Sequence, residues 1–85
     1  MSDTQTPPVE DVLSEVVVTL ALVARSYLEP EGEQEQPDLR SAEIVIDTAG
    51  AAFERVSERL SDERRTALSG VLADARMTFV RKRGL

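Results

Sequence analysis

Val9, Leu13, Val16, Leu20, Val23 and Tyr27 recur at steps of four, three, four, three and four. That spacing holds for five turns and marks an apolar stripe on a helix with a heptad period. A second set, Val12, Val17, Ala24 and Leu28, widens the stripe, and Val18 and Leu22 lie farther round. The run Val16-Val17-Val18-Thr19 favours strand by its β-branching. No turn residue interrupts the longer period, so a helix from Val9 is the expectation.

The pattern stops at "EPEGEQEQP", residues 29 to 37, which has two prolines, one glycine and no apolar side chain. This is a loop signal. Asp38 then offers an N-cap, and a second stripe follows: Leu39, Ala42, Ile46, Ala49, Phe53, Val56 and Leu60. Ser61, with Asp62 and Glu63 behind it, opens a third helix at the positive end of its dipole. Its stripe is Leu68, Val71 or Leu72, Ala75 and Phe79. Arg81, Lys82 and Arg83 follow near the C-terminal end, and Gly84 can end it.

The tight turn at Ser61 predicts an antiparallel hairpin of the second and third helices. In that register Val56 faces Leu68, Phe53 faces Val71 and Ala49 faces Ala75, with Gly70 beside the Phe53 layer. Asp47 and Arg76 fall at adjoining seam edges and are expected to form an ion pair. The fold expected is all-α: a three-helix bundle over residues 9–83, after a disordered lead-in at 1–8, with a flexible acidic loop at 29–37. The small residues Thr48 to Ala52 would let another helix come close.

Composition narrows the core. Aromatics are 4% of the 85 residues and Trp is absent, so Val, Leu, Ile and Ala must fill it. A chain of this size buries roughly 60 to 65% of its unfolded surface, which makes one thin core. Yet Val16 to Ala24 are nine consecutive uncharged residues. That is about half of the roughly 18 to 20 apolar residues a membrane span needs. The first helix is therefore expected to be covered partly by the hairpin and partly by another chain. Val17, Val18 and Leu22 are the expected oligomer interface, with a homodimer favoured over higher oligomers.

Chemistry is sparse. There is no cysteine and no histidine, which removes thiolate sites, the usual zinc ligand and the usual general base. Glu43 and Asp47 sit four apart, a spacing that can bind a divalent cation but is common on solvated helices. None of the serines has a partner to activate it, and no Gly-rich phosphate loop exists. No enzyme activity, no cofactor and no metal are expected. The start of the chain, "MSDTQTPP", lacks the basic residues of a secretory signal. With no cysteine to oxidise, a cytoplasmic location is the expectation.

The net charge is −6, which disfavours generic nucleic-acid binding. Arg81, Lys82 and Arg83 are a possible basic contact patch, but one nearby aromatic, Phe79, falls short of a nucleic-acid platform. The function expected is a protein–protein association module, self-associating and open to an unidentified protein partner. The alternative is a small nucleic-acid- or ribosome-associated factor using the basic end of the third helix.

"DLRSAEIVID", Asp38 to Asp47, and "ADARMTFV", Ala73 to Val80, resemble the bacterial domain-of-unknown-function family 1844. That family has an Asp-Leu-x-x-Ala-x-x-x-Ile-Asp segment opening its middle helix and an Arg-x-x-aromatic-Val segment on its last. The matching positions are Asp38, Leu39, Ala42, Ile46 and Asp47, then Arg76, Phe79 and Val80. Leu60, Ser61 and Glu63 match the later part of the family's turn, while Glu58 and Arg59 replace its Gly-Asn. The resemblance spans Val9 to Val80. It implies a short helical fold and no reaction.

Overall fold

The computed structural model describes residues 6–32 and 36–84. All regular structure among them is helical: α1 (Val9–Leu28), α2 (Leu39–Val56), a 3-10 turn (Ser57–Arg59) and α3 (Asp62–Arg83). Much of the expected flexible lead-in and the middle of the acidic loop lie outside the described residues.

Local chemistry sets the helix ends. Pro8 closes the start of α1 with its carbonyl, which accepts from the N–H groups of Asp11 and Val12. Proline suits such a boundary because it lacks an N–H of its own. Asp38 caps α2, its Oδ1 accepting from the Ser41 N–H at 3.0 Å, and Ser61 caps α3 by accepting from the Arg64 N–H at 3.1 Å. Gly84 ends α3 without a left-handed turn: at φ −76° its N–H returns to the Val80 carbonyl. The acidic loop is tied where it rejoins the helices, since the Asp38 N–H donates to the Tyr27 carbonyl at 2.9 Å.

α1 packs chiefly on α2 and also on α3. The core has two adjoining parts. Val17, Ala49, Val56, Leu60, Leu68 and Leu72 form one, with Leu13, Leu20 and Phe53 against it. Ala21, Ala24, Leu28, Ala42, Ile46 and Ala75 form the other, with Phe79 and Val45 against it. Ala24, Ala42 and Ala49 are fully buried. Side chains this small let two helix backbones approach closely, and each close contact gains dispersion attraction.

The buried face of α1 is the flank of the expected stripe that holds Val17, Ala24 and Leu28, joined by Ala21. The buried residues are Val17, Ala21, Ala24 and Leu28, whereas the heptad stripe from Val9 to Tyr27 is half-buried at best and exposed at both ends. The bulkiest stripe is not the innermost one: Ala21 and Ala24 are buried, while Leu13, Val16, Leu20 and Val23 are half-buried beside them.

Two expected layers change as well. Ala49 packs in the part of the core that holds Leu72, while Ala75 packs with Ala42 and Ile46. Val71 points out of the core, and the alternative Leu72 takes the inward position. Gly70 has no ring against it: a Cβ there would meet nothing within 4 Å.

Candidate interaction surface

Ion pairs bind α1 at both ends. Near its start, Glu10 meets Arg59 at 3.3 Å and Asp11 meets Arg64 at 2.7 Å. Near its end, Arg25 meets Asp74 at 3.1 Å. These side chains are mostly solvated, so each pair contributes roughly 0 to 1 kcal/mol and serves to orient the helix.

Arg65 is a structural residue that the apolar pattern could not reveal. Its guanidinium donates to the Ser57 carbonyl at 3.1 Å, the Leu60 carbonyl at 2.8 Å and Asp62 at 2.8 Å. The carbonyls at the end of a helix have no partner within it. One side chain thus satisfies the connection between α2 and α3. The only sequence signal was a basic residue four positions after an N-cap serine.

The expected pair of Asp47 and Arg76 does not form. No ion pair joins them among the described residues. Arg76 lies instead over Gly50, nearly one turn farther along α2.

The proposed interface residues divide. Val17 is fully buried inside the chain and is unavailable to another chain, which corrects that assignment. Val18 is 39% exposed and Leu22 is 63% exposed. Leu22 borders an open groove of about 430 Å³ between α1 and α3, walled by Ala21, Leu28, Gly70, Val71 and Ala75. Arg25 and Asp74 cross the same groove and satisfy each other. Small-molecule sites need polar groups aimed at the ligand; here the two charges face one another.

At the far end of α3, Met77 is 67% exposed and Val80 is 53% exposed, between Arg76 and Arg81. Arg81 and Arg83 are exposed and Lys82 is half-buried. Arg83 sits 5.5 Å over the Phe79 ring, a cation–π contact that folds it back onto its own helix.

The Ser41 backbone N–H, helped by the Ser41 side chain, holds the Asp38 carboxyl below its ordinary value of 3.8. Among the described residues, no three His, Cys, Asp or Glu side chains gather to hold a metal ion. No helix among them is long and apolar enough to cross a membrane.

Comparison with known proteins returned no matching family model, no similar characterised protein and no similar solved structure.

Proposed function

We propose that this chain is a non-enzymatic association module that works as a homodimer in the cytoplasm. In this reading α2 and α3 form an antiparallel hairpin, α1 lies along it, and a second copy completes the bundle. The ion pairs support that layout. Asp11 meets Arg64 and Arg25 meets Asp74, an order expected when α1 and α3 run the same way and α2 returns between them.

The observation that carries the reading is the large apolar surface left in water. Leu22, Met77, Val80 and Ile44 are each more than half exposed. Scattered exposed apolar residues are ordinary. Here Val18 and Leu22 stand one turn apart on α1, and Met77 and Val80 one turn apart on α3. Contiguous exposed apolar faces mark sites of association.

Light scattering on the full chain at tens of micromolar tests it. The expected mass is twice the 9.3 kDa of one chain. A monodisperse monomer overturns the proposal.

A further inference from the structure

α3 carries a second seam on the side away from the core. Thr66, Gly70, Ala73, Met77, Val80 and Gly84 recur at steps of four, three, four, three and four, and all six are exposed. Nine of the 22 residues of α3 are charged; none falls on this line from Thr66 onward, and Glu63, three residues before Thr66, closes it at the start of the helix. A solvated helix face ordinarily carries charges. An uncharged heptad line, bearing the exposed Met77 and Val80, is instead the pattern of a helix that packs on another helix.

Gly70 strengthens the point. Glycine weakens a helix interior, and inside this chain no neighbour requires it, since a Cβ would meet only open space. A reason for the missing side chain is supplied if something from outside packs there.

The charges indicate what packs there. α3 begins with Asp62 and Glu63 and ends with Arg81, Lys82 and Arg83. Such a helix is complementary to a copy of itself laid antiparallel. An anionic membrane or a nucleic acid would be repelled by the acidic start and by a chain of net charge −6. Resting on the self-association proposed above, we infer that the second copy docks through α3 against α3, antiparallel, about a two-fold axis close to Ala73. Met77 of each copy then lies over Gly70 of the other. The contact is isologous and closes at two chains.

The edges of the seam agree. Glu63 and Arg81 are eighteen residues apart, five full turns, so they share one edge of α3. Neither is in an ion pair among the described residues. A two-fold axis brings like edges together, so Glu63 of each copy faces Arg81 of the other. Asp74 lies nearer the axis, where the two copies' carboxylates would approach. Each is offset by Arg25 of its own chain at 3.1 Å. Leu22 stands beside Gly70 at the groove and extends the contact onto α1.

Because the chain has no cysteine, a single introduced one reports proximity cleanly. A disulfide needs Cα atoms within about 7 Å, which residues at a two-fold axis between close helices can meet. Ala73→Cys is expected to give a covalent dimer under mild oxidation, and Val12→Cys, exposed on α1, is expected not to. Arg81→Glu should weaken dimerisation about tenfold, and adding Glu63→Arg should restore it. Circular dichroism on each variant checks that the helices remain. A dimer by light scattering in which Ala73→Cys fails to cross-link overturns this interface and leaves self-association standing. Equal cross-linking at Val12, or no rescue by the charge swap, also overturns it. A monomer overturns both proposals.

Discussion

Arg76 lies where a side chain on residue 50 would begin. Its Nη2 is 2.5 Å from the position of a Cβ at Gly50, which is buried in the middle of α2. The absence of a side chain at Gly50 thus makes room for a guanidinium from α3. A seam-edge carboxylate, Asp47, was available less than one turn away, yet the contact is with bare backbone.

The contact involves the far end of a flexible side chain, so it can yield. Gly50→Ala should push the guanidinium aside and recover helix propensity, raising stability by up to about 1 kcal/mol. The gain should be larger in an Arg76→Ala background, where nothing has to move. Urea unfolding of the four variants measures both. A loss of more than about 1 kcal/mol in the single variant would mean that Arg76 is held firmly over Gly50.

Asp47 and Arg76 should be energetically independent. A double-mutant cycle with Asp47→Ala and Arg76→Ala is expected to give a coupling within about 0.5 kcal/mol of zero. A coupling above about 1 kcal/mol would place the two side chains together in solution.

Leu72 and Val71 are neighbours in sequence with opposite environments, 2% and 37% exposed. Leu72→Ala should cost about 2 to 5 kcal/mol, as buried leucine truncations do. Val71→Ala should cost less than about 1 kcal/mol of monomer stability. Equal costs would show α3 rotated from the orientation described.

Arg65 holds the connection between α2 and α3 through two carbonyls and Asp62. Arg65→Ala should cost about 1 to 3 kcal/mol, because carbonyls at the connection lose a charged donor. Arg65→Lys should recover only part of that, since an ammonium cannot present the same fork of donors. Thermal melts of the two variants would separate the donor geometry from the charge.

Acid should loosen the start of α2. The Asp38 carboxylate is favoured in the folded state, chiefly by the Ser41 N–H, so its native pKa lies below 3.8. Its stabilisation is complete above that unfolded value and disappears as pH falls through the lowered native one. Asn also caps helices but does not titrate. Asp38→Asn should therefore lose less stability than the parent between pH 5 and pH 2, measured by thermal melts. Equal loss would assign the acid sensitivity to other carboxylates.

The helices and their ends were legible in the sequence because local chemistry controls them. Pro8, Asp38 and Ser61 act on backbone groups within three or four residues, and the apolar period of α1 begins at Val9, where the helix does. The acidic loop needed no tertiary information either, since a glutamate- and proline-rich stretch has no apolar side chain to bury. Rotation of each helix was a different matter. Period alone marked a wide stripe on α1 that held both Val16, Leu20 and Val23 and Val17, Ala24 and Leu28, without saying which flank lies innermost. Tertiary packing chose the flank with Val17, Ala21, Ala24 and Leu28, where small side chains let neighbouring atoms come within dispersion range. Arg76 over Gly50, and Leu72 rather than Val71 in the core, were likewise decided only by the packed helices. Arg65 could be placed only once α2 and α3 were folded, because its partners are carbonyls, and every residue in a sequence has one.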